Sequence, residues 1–165
     1  MNFLKPVLVF CCLALPVYTS SALADNVSPA PNFDIKTTQL KSSLQDLQGK
    51  VVYVDFWASW CKPCRKSFPW MNNMQAKYPD DLQVIAINLD AEPELAAAFL
   101  DKVPAHIPIV YDPQGNIAKA YKLLGMPSSY LIDKKGNIRF SHKGFFTERE
   151  SLYENEINTL LNEQE

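Results

Sequence analysis

Val51-Val52-Tyr53-Val54-Asp55-Phe56-Trp57-Ala58-Ser59-Trp60-Cys61-Lys62-Pro63-Cys64 runs from an apolar stretch through a tryptophan-rich loop into a closely spaced cysteine pair. Val51 to Trp57 is apolar except at Asp55, the pattern of a central strand buried on both faces. Beyond the cysteines, Phe68, Met71, Met74 and Tyr78 recur at helical spacing, which predicts a helix from about Pro63 to Tyr78. Pro69 falls inside that helix and should kink it. The cysteines therefore lie where a strand gives way to a helix. A cysteine at a helix's first turn faces unpaired backbone N–H groups and the positive end of the helix dipole. Both favour the reactive thiolate. Lys62, Arg65 and Lys66 add cationic character, and Pro63 stiffens the turn so that two sulfurs can close a bridge. Cys61, the earlier residue, is the expected nucleophile, and Cys64, one turn inward, the resolving thiol.

Outward from this junction, apolar runs alternate with helical patterns. Phe33 to Thr37 alternates like a short edge strand, and Leu40, Leu44 and Leu47 have helical spacing closed by Gly49. Leu82–Leu89 reads as a second buried strand, Glu92–Leu100 as a helix and Ile107–Tyr111 as a short strand. Asp112-Pro113-Gln114-Gly115 reads as a turn before a helix over Ile117–Leu124. Ser129–Asp133 and Ile138–His142 form a predicted hairpin across Lys134-Lys135-Gly136-Asn137. Thr147–Leu161 closes the chain as a helix. Thr147 and Glu150 have capping-box spacing there, and Leu152, Ile157, Leu160 and Leu161 are expected to face the sheet. This order predicts an α/β sandwich with a mixed central sheet flanked by helices.

Composition narrows the function classes. At 165 residues, 47% hydrophobic and 12% aromatic, the chain can bury one domain's core. A formal charge of −2 without a long basic run does not point to nucleic acid. Residues 1–24 read as a secretory signal, with Lys5, an apolar run from Val7 to Val17, and small residues at Ala22-Leu23-Ala24. An uncleaved anchor is the alternative. Residues 25–31 read as a flexible leader and 32–165 as the domain. If the signal leaves, Cys11 and Cys12 leave with it, and the remaining chain carries 15 basic against 18 acidic residues, or −3. A disulfide-stapled mini-protein is then excluded, because Cys61 and Cys64 are the remaining cysteines. A bridge at that spacing would constrain little of the unfolded chain. A zinc site would need more ligands than His106 and His142 offer, and haem attachment would need His where Arg65 stands. Both histidines read as surface or core residues without catalytic duty.

The segment Val54–Cys64 resembles the active-site segment of thioredoxin-fold proteins, and most closely the exported TlpA/ResA-like thiol–disulfide oxidoreductases. The resemblance runs from about Pro31 to the C-terminus. Pro69 matches the family's helix kink, and Gly125-Met126-Pro127 precedes a strand as the family's cis-proline does. A helix and strand between Asn88 and Met126, with an N-terminal extension, are like the TlpA/ResA branch rather than plain thioredoxin. The resemblance implies that Asp55 relays the proton of Cys64, whereas on the residues alone it could simply be a strand-end aspartate. It also implies a cis Met126–Pro127 bond beside Cys61, where an extended substrate can pair, with Trp60 and Pro63 completing that surface. Ala86 stands where thioredoxin has a lysine, so any partner for Asp55 must come from elsewhere; Asp90, Glu92 or Glu94 could supply a second acid.

The implied protein is an exported, monomeric oxidoreductase with a redox-active Cys61–Cys64 disulfide and no organic cofactor or metal. Its implied substrates are disulfides of envelope proteins, as in cytochrome c maturation, and a membrane thiol donor would recharge it. An oxidase or isomerase, or a copper-binding assembly factor using the same cysteines, are the competing readings.

Overall fold

The computed structural model describes residues 27–164; the signal-like segment, Cys11 and Cys12 lie outside the described residues. Two short N-terminal pieces come first. Ser28–Pro29 (β1) pairs antiparallel with the far end of the chain, so part of the segment expected to be a flexible leader is fixed to the sheet. Asp34–Lys36 (β2) and Lys41–Ser43 (β3) form a small separate hairpin, followed by a 3-10 turn over Leu44–Leu47. Of the three leucines at helical spacing, Leu40 thus falls just before β3, and Leu44 and Leu47 fall in the 3-10 turn. Thr37 accounts for this: its hydroxyl accepts the Leu40 amide at 2.9 Å and bends the chain back.

The main sheet contains Val51–Trp57 (β4), Leu82–Asn88 (β5), Ile109–Tyr111 (β6), Ser128–Ile132 (β7) and Asn137–Lys143 (β8). Among the described residues its order is β1-β8-β7-β4-β5-β6. β4, β5 and β6 run parallel, while β7 and β8 are antiparallel to their neighbours. The sheet is therefore mixed. Cys64–Lys77 (α1) and Glu150–Asn162 (α4) contribute to the core on one face, with Pro93–Leu100 (α2). Asn116–Ala120 (α3) and the N-terminal hairpin contribute to the core on the other.

Strand alternation explains the two cores. Val51, Tyr53 and Trp57 point to the α1/α4 side with Phe68, Met71, Tyr153, Ile157 and Leu160. Val52, Val54 and Phe56 point the other way, onto Phe33, Ile35, Leu44 and Leu47. The N-terminal extension is what closes that second face. Pro69 lies within α1, on its solvent side, where the missing N–H leaves the packed face intact.

Two helix expectations differ from the structure. The first concerns α4, which begins at Glu150 after a 3-10 turn over Thr147–Arg149, and the Thr147/Glu150 capping box does not form. With that start, Tyr153 takes the inward position and Leu152 is exposed. The second is α3, which stops at Ala120 rather than Leu124, because Lys122 adopts a left-handed conformation at φ 52°.

Candidate active site

β4 ends at Trp57, and the chain turns through Ala58–Pro63 before α1 begins at Cys64. Cys61 and Cys64 are joined by a disulfide, with Cα atoms 5.4 Å apart. Tight backbone bonds shape the turn: Cys61 N–H donates to Ala58 O at 3.0 Å and Cys64 N–H to Cys61 O at 3.2 Å. Arg65 and Lys66 amides likewise donate to Lys62 and Pro63 carbonyls. These first amides of α1 are thus engaged by the turn rather than unpaired. What remains to favour a Cys61 thiolate is the helix dipole and the cationic side chains of Lys62 and Lys66. Arg65 instead lies over the Phe99 ring, its guanidinium carbon 4.8 Å from the centroid.

Both sulfur residues are enclosed, although Cys61 lies in the loop and Cys64 at the first position of α1. Cys61 is 4% exposed and Cys64 fully buried. Trp60, by contrast, is 67% exposed directly beside them. Trp57 is core, packed against Phe68 at 4.9 Å and Phe99 at 4.7 Å between ring centroids.

The loop before Cys61 is fastened to the end of β5. Ser59 donates its backbone N–H and its hydroxyl to the two oxygens of Asp90, each at 2.9 Å. Asn88 Nδ2 donates to the same carboxylate at 2.8 Å. Asp90 is buried and serves the loop; Glu92 and Glu94 are exposed, with Glu92 at the cap of α2 and Glu94 in its first turn.

Asp55 occupies the middle of β4, opposite Ala86 on β5 and Ser129 on β7. It is 1% exposed, and its Oδ2 has no hydrogen-bond partner. Burial pushes its pKa well above the ordinary carboxylate range. Tyr53, two residues back on the same face, has its phenol raised as well, first by burial and then by the Asp55 charge.

Met126–Pro127 is a cis peptide bond. Met126 packs against the core cluster that includes both cysteines, and Pro127 is buried with its carbonyl accepting Gly144 N–H at 2.8 Å. Gly144 also lines a groove with Lys62, Pro63, Lys66, Phe145 and Phe146, so the cysteine turn and the β8–α4 loop share one concave surface. His106 is exposed, while His142 is partly buried against α4, its Nε2 2.6 Å from Glu156 Oε2. That pairing was not legible from sequence, because it depends on the strand register and on which turn of α4 faces β8. Among the described residues no group of three or more His, Cys, Asp or Glu is placed to hold a metal ion, and no helix is long and apolar enough to cross a membrane.

Residues 26–160 match the Redoxin family. The chain is 41% identical over 125 residues to the thioredoxin-like protein YneN of Bacillus subtilis, covering 73% of each. It is 36% identical over 117 residues to the thiol-disulfide oxidoreductase ResA of Bacillus thuringiensis, covering 70% of this chain and 68% of that one. Among solved structures, a Chlorobium tepidum protein assigned as the thiol:disulfide interchange protein DsbE superposes with a TM-score of 0.79 at 45% identity, covering 84% of this chain and 99% of that one. Sequence, sheet order and the placement of the disulfide agree with these likenesses: this chain belongs to the Redoxin family, as a TlpA/ResA-like thiol–disulfide oxidoreductase built on the thioredoxin fold.

Proposed function

We propose that this oxidoreductase is exported and works in the reducing direction, on disulfides of envelope proteins such as those formed in apocytochrome c before haem attachment. The observation that carries the reading is the enclosed Cys61–Cys64 pair beside an exposed tryptophan, with the buried, unpaired Asp55 on the sheet face whose core includes both cysteines. In the reduced enzyme, the Cys61 thiolate attacks a substrate disulfide, forming a mixed disulfide and releasing one substrate thiolate. Cys64 gives its proton to Asp55, and its sulfur then attacks Cys61, releasing the second substrate sulfur and restoring the Cys61–Cys64 bond. A carboxyl whose pKa is raised by burial is a stronger base than an ordinary aspartate, which suits it to that transfer. A membrane thiol donor returns the pair to the dithiol.

Trp60, Pro63, Met126 and Pro127 form the substrate surface in this reading. An extended chain pairs with the Met126 backbone, and Trp60 with Phe146 covers its side chains. Export rests on the signal-like residues 1–24, and the protein acts as a monomer.

Replacing the resolving residue tests the substrate assignment. Cys64→Ser should trap mixed disulfides between Cys61 and envelope proteins, and Cys61→Ser should trap none and lose turnover. Direction is read from the reduction potential: a value near about −270 mV supports a reductase, and one near about −120 mV would make it an oxidase.

A further inference from the structure

A row of polar side chains crosses the face of the sheet that carries the disulfide. β4, β7 and β8 are successive antiparallel neighbours, and their register sets Asp55 opposite Ser129 and Ser129 opposite His142. Residues directly opposed across strands project to the same side with Cβ atoms about 4.5–5.5 Å apart. The residues two positions away agree: Tyr53, Leu131 and Phe140 all belong to the core of that face. At its inner end the row begins with Asp55, whose Oδ2 is buried without a partner. At its outer end it reaches the His142–Glu156 pair, whose side chains are 18% and 13% exposed.

The groups packed around this row are few. From β4, the Tyr53 hydroxyl stands beside Ser129 and feels the charges of Asp55, Tyr153 and Glu156. From α4, the Tyr153 ring lies 4.8 Å from the His142 ring, and Glu156 completes the set. The neighbouring Glu154 is occupied by Lys77 of α1. Folding does not ask for this arrangement. Apolar side chains at the same positions would extend the core, whereas a half-buried ionisable pair and an orphaned carboxyl both oppose stability.

We propose that Ser129, His142 and Glu156 form the path along which Asp55 exchanges its proton with solvent during each turnover. The inference rests on the reading of Asp55 as the proton acceptor for Cys64. When the mixed disulfide resolves, the Cys64 S–H bond breaks and its proton passes to the Asp55 carboxylate. The sulfur's electron pair forms the bond to Cys61, and the Cys61–substrate bond breaks with its pair leaving on the substrate sulfur. To accept the Cys64 proton Asp55 must be ionised, so it first has to lose the proton that burial favours on it, from a site closed to water. The Ser129 hydroxyl, which has no direct hydrogen bond to Asp55 or His142 in the disulfide form, turns toward Asp55 to accept that proton while releasing its own to the His142–Glu156 pair, which returns it to solvent. These three residues do not touch the reacting sulfurs; they are positioning residues that act through Asp55.

The test uses the reduced chain and stopped-flow reaction with dithionitrobenzoate, which releases one chromophore when Cys61 attacks and a second when Cys64 resolves. Between pH 5 and 9, Ser129→Ala and His142→Gln should leave the first phase unchanged, slow the second about tenfold and flatten its pH profile. Glu156→Gln, which keeps a hydrogen bond to His142, should act in the same direction and guards against loss of fold in His142→Gln. In an Asp55→Asn background, His142→Gln should add nothing. The path is overturned if Ser129→Ala and His142→Gln keep the native second phase while Asp55→Asn slows it, or if the Asp55 and His142 effects simply multiply. If Asp55→Asn itself leaves the second phase unchanged, the proton-acceptor reading fails, and the path falls with it.

Discussion

In the proposed mechanism, Asp55 is the residue at which stability and chemistry oppose each other. An aspartate is ordinarily ionised above about pH 4, but here burial favours the neutral form. Between the ordinary value and the raised native one, the folded protein holds a proton that the unfolded chain has lost. The contribution of this residue to stability is therefore fully present below the ordinary value. It is lost as pH rises through the native pKa, after which it stays level. Asp55→Asn should remove that loss, making the variant more stable than the native protein at pH 8 by on the order of 1–3 kcal/mol. Denaturant titrations of both oxidised proteins at several pH values measure it. A stability difference that does not grow with pH would show that Asp55 ionises freely in the fold. The same substitution should slow the second phase of thiol exchange. Gaining stability while losing rate is the signature of a residue kept for its chemistry.

Among the elements, the two loops leading into helices are held by carboxylates. Asp90 holds the Ser59 loop ahead of the disulfide through bonds to its amide and hydroxyl. Asp90→Ala leaves those partly buried donors, and the buried Asn88 amide, unpaired and should cost about 1–3 kcal/mol, read as a shifted denaturation midpoint. Asp112 caps α3, accepting the amides of Asn116, Ile117 and Ala118 at 2.8–3.0 Å. Asp112→Ala should cost about 1–2 kcal/mol and leave the rate of thiol exchange unchanged. Neither role was legible in sequence. Asp112 reads as one residue of an Asp-Pro-Gln-Gly turn, and only the folded loop shows that its carboxylate points into the following helix. Asp90 stands out as an acid near the site, but its bonds to a loop 31 residues earlier belong to tertiary structure. The capping motif at Thr147 failed for a related reason: a local pattern describes what a terminus can do, and here the chain makes a 3-10 turn over Thr147–Arg149 before α4 begins.

At the scale of the whole molecule, one sheet separates two cores with different duties. The face under α1 and α4 carries the disulfide and the polar row, and the face closed by the N-terminal hairpin carries neither. Ile35, fully buried in the second core, should therefore be separable from activity. Ile35→Ala is expected to cost about 2–5 kcal/mol in denaturant midpoint, with unchanged exchange rates in the folded protein. The broad architecture was readable because strand and helix periods alternate along the chain and the Trp-Cys-X-X-Cys segment fixes where the first unit ends. The register was not, since a sequence does not state which strand residues oppose each other, and His142 gains its neighbours through register alone. The sheet's outer strands carry one more consequence. One edge is the two-residue β1, which contains Pro29, and the other is the three-residue β6, which follows directly on Pro108. Proline offers no N–H to a neighbouring chain, and strands this short give little length for pairing. On the proposed reading, in which extended polypeptides pair with the Met126 backbone, the enzyme meets strand-forming segments at every encounter. With both borders of its sheet blunted, it can release a client rather than become the template on which clients aggregate.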